Sequence, residues 1–570
     1  MGRKNFFTKR FSKKLKNKLK KFKVPKFSNL KSKPVLISDI WDEIFRHHLS
    51  DDRKSLHSCI LVNRLWCRLA IPVLWSNPFM KPNYYGYFAV RTYICCLDES
   101  GKNLLRQQQI RIPTQPSPPL FDYPSFLLTF IYCNFAIALE DFVTGTEIDF
   151  LYMNEKRCAI SSVIVNMIFS RSRGIRIFDF YRTHLSRQII LTLDHSLSLL
   201  GGKREEGEGS NHSLIKNSLN KIQSFRFNGS CIMDEIYSIT WPNFLNTISS
   251  SATNIKHLSF RLNNTAFSVQ TIYNSIANLV GSQRALKSFE INEIWIPRHD
   301  KVIFNSLSKQ AGSLSHIRLF GRVTLSRLME VLVVCKNLNA LEVEEFHKND
   351  HVPILKYRNA NISIKKLCYL QNQPASLTVN THNDYGISFL LQMISNNLET
   401  FSCKYFCPEY FINLKKYSVN LTHLRIIIKS QTISRFSKVL SVMTSLKQLY
   451  VESPKEEYCL FTTDVIRQLA YSLPCSLQHL SINLSITMEL LKTFLGACSI
   501  QLASFELFFI FDPHKKYSLF IMEYYDRVGS LQFIKLSRYL LEKYHFNLHY
   551  KKKLSYKVIE SLPIWIQDQF

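Results

Sequence analysis

A short pattern of apolar positions recurs along the chain from about residue 222 onward. Its form is apolar-x-x-apolar-x-apolar, and successive copies start 23 to 34 residues apart, with a mean interval of 28 residues. The copies are Ile222/Phe225/Phe227, Ile255/Leu258/Phe260, Leu286/Phe289/Ile291, Leu314/Ile317/Leu319, Leu338/Leu341/Val343, Ile364/Leu367/Tyr369, Leu398/Phe401/Cys403, Leu421/Leu424/Ile426, Leu446/Leu449/Val451, Leu477/Leu480/Ile482 and Leu502/Phe505/Leu507. A weaker copy, Ile175/Phe178/Phe180, comes earlier. Each copy predicts a short strand with one buried face.

Stretches with apolar residues three and four positions apart lie between these strands and predict helices. They cover Ser268 to Leu279, Leu325 to Cys335, Ile387 to Ile394, Ile433 to Val442, Val465 to Leu473 and Met488 to Ala497. Because one strand and helix cannot cover their own apolar faces, neighbouring units must stack into a curved solenoid, with strands inside and helices outside. An ordinary doubly wound α/β sheet is the alternative, although its crossovers do not require the repeated spacing.

The repeated unit resembles the leucine-rich repeat. That family expects Asn or Cys three places after the last apolar strand position; Asn263 fits, whereas Ile294 and Lys429 do not. The resemblance implies an α/β solenoid, and we assign the array to residues 175–510. Residues 511–570 are rich in Tyr, Phe and Lys, and we expect them to cap the open end of the array.

The stretch from Pro34 to Phe79 has a different pattern and predicts a compact cluster of short helices. Ser38 or Asp39 can cap a first helix, whose apolar residues form two rows. These rows are Ile40, Ile44 and His48, and Trp41, Phe45 and Leu49. A second start at Asp51 and Asp52 leads to the row Leu61, Leu65 and Leu69, which Pro72 is expected to break. Such a small cluster needs the support of a partner or a neighbouring domain.

The order of these parts resembles the F-box. The parts are an apolar opening, the run Asp42-Glu43-Ile44-Phe45, a Leu-rich middle, the run Val62-Asn63-Arg64-Leu65-Trp66 and the closing pair Leu74-Trp75. The opening departs from the family, because Pro34 precedes Val35 and Leu36 where many F-boxes begin with Leu-Pro. The resemblance implies that residues 34–79 bind a Skp-family adaptor of a cullin-RING ubiquitin ligase. The expected adaptor-binding residues are Leu36, Ile40, Ile44, Phe45, Leu56, Leu61, Val62, Trp66, Leu74 and Trp75. The alternative is that these residues only close a helical subdomain.

In a solenoid, recognition of a target falls to side chains that point out of the inner sheet, and these alternate with the buried positions. The candidate substrate-binding residues are Arg226, Arg261, Glu290, Arg318, Glu342, Arg425 and Tyr450, accompanied by Ser259, Glu344, Glu452 and Ser481. Their mixed charges favour an unidentified protein substrate over nucleic acid, whose phosphates would select Lys and Arg.

The distribution of charge shows that the chain begins with a strongly basic N-terminal arm. The chain of 570 residues has a net charge of +30 and 46% hydrophobic residues, as expected of a folded protein. Residues 1–33 contain 14 Lys or Arg and no acidic residue. Such an arm can act in nuclear import or bind nucleic acid or an anionic membrane. The apolar row Phe7, Phe11, Leu15, Leu19 and Phe22 also suits a basic helix on a membrane surface.

The sequence contains no pattern that indicates an enzyme, a cofactor or a metal. Phosphate-binding loops, hydrolase elbows and zincin motifs are missing, and the 14 cysteines include no C-x-x-C pair. His47 and His48 have no partner at metal-ligand spacing. With no cleavable leader evident, we expect free thiols and a cytoplasmic or nuclear location. The apolar run from Phe126 to Leu139 is too short to span a membrane and predicts a buried helix.

Two irregular stretches complete the domain organisation. Prolines 113, 116, 118 and 119 predict an extended loop within a connecting region, residues 80–174, and the segment Gly201 to Gly209 predicts an exposed loop. Together, the resemblances to the F-box and to leucine-rich repeats imply a substrate receptor of an SCF-type ubiquitin ligase. The alternatives are a repeat scaffold that binds nucleic acid or membrane through its arm, and an F-box protein whose adaptor complex does not serve degradation.

Overall fold

The computed structural model describes the chain in two compact units, Met1–Ile255 and Lys256–Phe570. The described residues are 38–50, 52–80, 85–113, 118–146, 153–180, 217–228, 237–262, 269–294, 297–347, 350, 354–357, 360, 362–370, 385–394, 397–404, 408–417, 420–429, 432–453, 461–484, 486–507, 517–529, 533–537 and 555–559. The basic arm and the loop from Gly201 to Gly209 therefore lie outside the described residues.

The first unit begins with short helices, as the sequence predicts. They are α1 (Ser38–Glu43), a π-helical turn (Ile44–His48), α2 (Arg53–Cys59) and α3 (Arg64–Trp75). The side chain of Asp52 caps α2 by accepting from the backbone N–H of Ser55 at 3.1 Å. Asn63 caps α3 in the same way, accepting from Trp66 N–H at 2.8 Å. The expected break at Pro72 is wrong, because α3 continues through this proline to Trp75.

The rest of the first unit contains further helices and three parallel strands. These elements are α4 (Tyr85–Cys95), α5 (Glu99–Gln107), a 3-10 turn (Tyr123–Phe126), β1 (Thr129–Ile131), α6 (Tyr132–Thr146), α7 (Met153–Arg171), β2 (Ile177–Phe180), β3 (Ser224–Asn228) and α8 (Tyr237–Ser251). Phe130 of β1, Phe178 of β2 and Phe225 of β3 lie in register and are buried. The buried helix predicted over Phe126 to Leu139 is therefore only partly right, since its first part is a turn and strand β1.

The second unit alternates strands and helices along its length. Its strands are β4 (His257–Arg261), β5 (Ser288–Ile294), β6 (His316–Val323), β7 (Ala340–Phe346), β8 (Lys366–Tyr369), β9 (Thr400–Cys403), β10 (His423–Ile427), β11 (Gln448–Glu452), β12 (His479–Asn483), β13 (Ser504–Leu507), β14 (Phe533–Ser537) and β15 (Ser555–Ile559). Its helices are α9 (Val269–Gly281), α10 (Pro297–Ser308), α11 (Leu325–Val334), α12 (Ile354–Tyr357), α13 (Tyr385–Ile394), α14 (Pro408–Tyr417), α15 (Ile433–Leu440), α16 (Thr463–Tyr471), α17 (Met488–Ala497) and α18 (Tyr517–Val528).

Each strand of the second unit pairs in parallel with the next strand in the sequence. The predicted apolar positions fall opposite one another, as Leu424, Leu449 and Leu480 do, and these side chains are buried. Residues between them on the strands are mostly accessible, so one face of the sheet carries the helices and the other is open. A doubly wound sheet buries both faces and reverses its strand order. The fold is therefore α/β, with a leucine-rich-repeat solenoid.

A ladder of polar side chains joins successive repeats. Asn337 and Asn397, each just before the first apolar position of its repeat, donate a side-chain N–H to Gly312 O at 2.7 Å and to Ile362 O at 2.9 Å. Asn254 donates to Asn220 O in the first unit at 3.3 Å. These bonds satisfy turn carbonyls of the preceding repeat.

Candidate functional site

Two surfaces are candidates for binding, and the first lies on the N-terminal helical module. Its buried core includes Phe45, and the partly buried rings of Trp41 and Trp66 pack against that core. The ring centroids are 4.3 Å apart for Trp41 and Trp66 and 5.5 Å apart for Phe45 and Trp66. Trp41 and Phe45 lie on consecutive turns, and Trp66 lies on α3, so these rings hold α1 and the π-helical turn against α3. Partly buried Ile60, Leu69 and Leu74 pack around this core.

The predicted adaptor-binding residues fall into four groups. Ile44, Phe45 and Leu56 are buried in the module core. Trp66 and Leu74 are partly buried and pack against that core. Trp75 contacts Tyr93 and Tyr123 of the following region, at centroid distances of 5.5 Å and 4.3 Å. Ile40, Leu61 and Val62 are exposed. Leu36 lies outside the described residues.

The exposed apolar residues of the module form a candidate docking surface, which we call the apolar patch. It consists of Ile40, Leu61, Val62 and Leu65, whose exposed fractions are 44%, 76%, 52% and 43%. Leu61, Val62 and Leu65 surround the start of α3, and Ile40 precedes Trp41, whose ring contacts Trp66 of α3. Leu65 was not among the predicted contacts, although its place in the row with Leu61 was a usable signal.

The module is attached to the region that follows it by buried hydrogen bonds. The backbone N–H groups of Leu128 and Thr129 both donate to Ser76 O at 2.9 Å. The buried side chain of Asn134 donates to Phe79 O at 2.8 Å and to Met80 O at 3.2 Å. These contacts meet the sequence expectation that so small a cluster leans on its neighbour.

The second surface is the open face of the sheet in the second unit. Each strand from β4 to β13 points two residues out of this face, in register with their equivalents on the neighbouring strands, and some strands add a third further along. The later of the two forms what we call the central row, which is Ser259, Glu290, Arg318, Glu342, Cys368, Ser402, Arg425, Tyr450, Ser481 and Glu506. Three predicted substrate-binding residues, Glu290, Arg318 and Glu342, are therefore consecutive in this row. Arg425 and Tyr450 are also consecutive, beyond Cys368 and Ser402. Arg261 lies two residues further along β4, opposite Asn292, and Arg226 lies in the first unit, 3.8 Å from Asp179.

Ion pairs along the central row neutralise most of its charge. The guanidinium of Arg318 lies between Glu290, at 3.6 Å, and Glu342, at 3.1 Å. Arg425 contacts Glu452 at 3.4 Å, and Glu452 also accepts from the side chain of Asn483 at 3.0 Å. Burial raises the pKa of Glu342, whereas the charge of Arg318 opposes that rise. Burial also lowers the pKa of Arg425, and Glu452 opposes this effect.

The central row has no feature of a catalytic centre. Burial raises the pKa of the Cys368 thiol to about 12, so the thiol stays protonated at neutral pH and is a poor nucleophile. Burial likewise raises the pKa of Tyr450. Among the described residues, no three or more His, Cys, Asp or Glu side chains come together as a metal site. In the same part of the chain, no helix combines the length and apolar character needed to span a bilayer.

The first outward residue of each strand forms a second line, which we call the leading row. It was not among the predicted contacts, and it consists of His257, Ser288, His316, Ala340, Lys366, Thr400, His423, Gln448, His479 and Ser504. The rings of His316 and His423 are held through Nδ1 by the hydroxyls of Ser315, at 2.8 Å, and Thr422, at 2.7 Å. The alternation used to predict the central row also placed these residues on the open face.

Comparisons with known proteins give similarity to solved structures only. No protein-family model matches the sequence, and no curated protein matches it significantly. A chain of the Rad7 and Elc1 complex of yeast is 15% identical, with a TM-score of 0.34, over 73% of this chain and 94% of that chain. The leucine-rich repeat-containing protein LegL7 of Legionella pneumophila is 14% identical, with a TM-score of 0.32, over 54% of this chain and 93% of its own. The Leptospira interrogans leucine-rich-repeat protein LIC12759 is 12% identical, with a TM-score of 0.22, over 62% of this chain and 93% of its own. At these values the similarities assign no function.

Proposed function

We propose that the protein is the substrate-recognition subunit of an SCF-type ubiquitin ligase. The N-terminal module binds a Skp-family adaptor, which links the chain to a cullin-RING ligase, and the repeats bind a target protein. In this role the protein has no catalytic residues, cofactor or metal of its own. Its contribution is to raise the effective concentration of the target's lysines near the conjugating enzyme.

The observation that supports adaptor binding most directly is the apolar patch. Four exposed aliphatic side chains occur within a module of fewer than fifty residues, beside the Trp41–Trp66 contact that fixes α1 on α3. Exposed apolar groups that cluster in this way are typical of protein interaction sites. The patch also includes three expected adaptor-binding residues, Ile40, Leu61 and Val62, and Leu65 of the F-box-like run Val62-Asn63-Arg64-Leu65-Trp66. We therefore assign docking to the patch, and we assign Ile44, Phe45 and Leu56 to the fold of the module.

The open face of the repeat sheet supports the second half of the proposal. Its strands are in register over ten successive repeats from β4 to β13, so their outward side chains form continuous rows. Such rows suit an extended ligand that crosses several strands. We propose the corresponding division of the chain into an arm (1–33), module (34–79), connecting region (80–174), array (175–510) and cap (511–570), and a cytoplasmic or nuclear location.

The test is capture of a purified Skp-family adaptor by the full chain. We expect Leu61→Asp and Leu65→Asp each to weaken capture about tenfold or more, because each places a charge at an apolar contact. Ile412→Asp is the matched control, since Ile412 is 65% exposed on α14, in the second unit. Equal capture by the patch variants and the control would reject the assigned docking surface. No capture by the folded wild-type chain would reject the ligase role itself.

The alternative is a non-enzymatic scaffold that binds nucleic acid or an anionic membrane through its basic arm. The observation that favours it is the charge of residues 1–33, which hold 14 Lys or Arg and no acid. Deletion of the arm separates the two functions, because only the scaffold function depends on it.

A further inference from the structure

A basic residue occupies the leading row on every second strand from β4 to β12. These residues are His257, His316, Lys366, His423 and His479, and the intervening positions are Ser288, Ala340, Thr400 and Gln448. Because neighbouring strands lie about 4.8 Å apart, the basic side chains recur about every 9.6 Å over a distance of about 38 Å.

The residues just before the leading row reinforce its charge. The backbone N–H of each donates to the carbonyl of its equivalent on the previous repeat, as Lys287 N–H does to Lys256 O at 2.8 Å. This neighbouring row contains Lys256, Lys287, Lys365 and Lys447, and its one carboxylate is Glu399. Glu399 lies 2.7 Å from Lys365 and is therefore already neutralised. Among the described residues, Lys366 and Lys447 form no ion pair.

The positive charge is confined to a narrow strip. The central row begins two residues further along each strand, which is about 6.6 Å away. It carries the carboxylates of Glu290, Glu342 and Glu506, and its two arginines, Arg318 and Arg425, are paired with carboxylates. A nucleic-acid duplex presents phosphates across grooves roughly 6 Å and 12 Å wide, so some of them would face this row, whose described residues include no unpaired cation. A single extended polypeptide is thin enough to follow the strip alone.

The spacing of the strip matches the repeat of an extended chain. A polyproline II segment has three residues per turn and a rise of about 3.1 Å per residue, so one face recurs about every 9.3 Å. A segment of about 12 residues would extend from His257 to His479. An acidic residue at every third position would then lie opposite each basic side chain.

We infer that the leading row binds an extended acidic segment of the target protein, with a carboxylate at every third residue. This inference deepens the proposed function, on which it rests for the identity of the segment's owner as a ligase target. The intervening Ser, Ala, Thr and Gln side chains leave room for the other residues of the segment, and Thr400 and Gln448 offer hydrogen bonds to its backbone.

The histidines make this binding depend on pH. Burial lowers the pKa of His316, and the nearby cations lower it further; these are Arg318, Lys366 and His257. Arg318 is itself compensated by Glu290 and Glu342. Burial also lowers the pKa of His423, and the nearby cations Lys366, His479 and Lys447 lower it further. The carboxylate of Glu399 raises this pKa and so opposes them. Lys365 faces Glu399 from β8. A bound carboxylate offsets this repulsion and raises both pKa values, so binding takes up protons and is tighter at pH 6 than at pH 7.5.

The test uses the full chain and two fluorescent peptides of about 12 residues. One peptide has glutamate at every third position with Pro and Ser between, and the other has the same composition with its glutamates adjacent. We expect the spaced peptide to bind at least about fivefold more tightly, because only it can reach successive basic side chains. The two peptides carry the same net charge, so attraction by the basic arm gives no preference for the spaced peptide, and such a preference reports on the row.

Variants of the row complete the test. Lys366→Glu should weaken binding of the spaced peptide about tenfold or more, because it sets two like charges together. His423→Gln should reduce the tightening between pH 7.5 and pH 6. Lys438→Glu, on the exposed side of α15, is the matched control and should leave affinity within about twofold.

Three outcomes would overturn the inference. Equal binding of the two peptides would reject the requirement for a carboxylate at every third residue. Binding of the spaced peptide at wild-type strength by a folded Lys366→Glu variant would reject the leading row as its binding site. Tighter, Lys366-dependent binding of a duplex DNA would make the strip a nucleic-acid surface. Adaptor capture is measured separately, so loss of peptide binding with intact capture rejects only this inference. Peptide binding without capture rejects the ligase role and leaves the strip in place.

Discussion

At the scale of single residues, Trp66 is the side chain on which the N-terminal module most depends. Its ring contacts both Trp41 and Phe45, and no other described residue joins those two rings to α3 by an aromatic contact. We expect Trp66→Ala to destabilise the module by about 3 kcal/mol, the lower end for loss of a large aromatic, because Trp66 is only partly buried. Limited proteolysis of the full chain should show earlier cleavage near residues 38–80.

Trp66→Phe is the control, since it keeps a ring at the junction and should retain most of the protection against proteolysis. Adaptor capture should fall with Trp66→Ala because the apolar patch loses its support. Capture at the wild-type level by Trp66→Ala would contradict the role given to this tryptophan.

Residue-scale predictions from the sequence named apolar side chains of the module but could not sort them by exposure. Phe45 and Leu61 both belong to apolar rows with helical spacing in the sequence, yet Phe45 is wholly buried and Leu61 is 76% exposed. The predicted row Leu61, Leu65 and Leu69 is wrong at its first member, because Leu61 lies in the turn between α2 and α3. A stripe that forms a core and a stripe that binds a partner have the same pattern in one dimension. Only the packing of α1 against α3 separates them.

At the scale of elements, the strands were predictable because every repeat buries the same positions. Twelve predicted copies, from Ile175/Phe178/Phe180 to Leu502/Phe505/Leu507, coincide with strands β2 to β13. Strand β1 was missed although Leu127, Phe130 and Tyr132 fit the pattern, because the helical run that follows obscures so short a strand. Helices α10 and α14 were also missed, and both begin at a proline, which is a start signal that the apolar spacing alone does not use.

The side-chain contacts between elements were beyond the reach of the sequence. The intervals between repeats vary from 23 to 34 residues, so the pattern did not reveal that Arg318 lies between Glu290 and Glu342. Glu290, Arg318, Glu342, Arg425 and Tyr450 lie on the open face, as the alternation indicates, and their contact with a substrate stays a prediction. The ion pairs of Arg318 and Arg425 emerged only from the register of the strands.

The ion pairs of Arg318 lead to a prediction at this scale. Arg318→Met leaves Glu290 and Glu342 together without a cation, so burial and their mutual repulsion raise the folded-state pKa of Glu342 further above its ordinary value of about 4.3. A raised pKa in the folded state favours folding at low pH, and this contribution is lost as pH rises through that pKa. The variant should therefore lose on the order of 1 kcal/mol at pH 7.5 and less at pH 5.

Thermal unfolding at the two pH values measures this difference. Adding Glu290→Gln and Glu342→Gln to Arg318→Met removes both carboxylates and should abolish the extra loss at pH 7.5. A deficit that is the same at pH 5 and pH 7.5 would show that Arg318 acts through packing and not through its charge.

At the scale of the whole molecule, positive charge is unequally divided along the chain. Residues 1–33 carry 14 of the 73 Lys and Arg residues and no acidic residue, whereas the repeat face pairs many of its cations with carboxylates. Salt strongly weakens binding that depends on many unpaired cations. Salt weakens binding by the few spaced basic residues of the leading row to a smaller extent. The arm and the repeat face should therefore be separable by deletion and by salt.

Deletion of residues 1–33 tests this separation. We expect the shortened chain to lose most of its low-salt binding to duplex DNA and to anionic vesicles, because nearly half of the +30 net charge is removed. Adaptor capture and preference for the spaced acidic peptide should remain within about twofold of the intact chain, since the patch and the leading row are retained. Measured across a series of salt concentrations, the intact chain should show the steeper decline in DNA binding. If adaptor capture and peptide preference disappear together with the arm, the arm is the principal binding element, and the chain is a basic scaffold with no connection to ubiquitin.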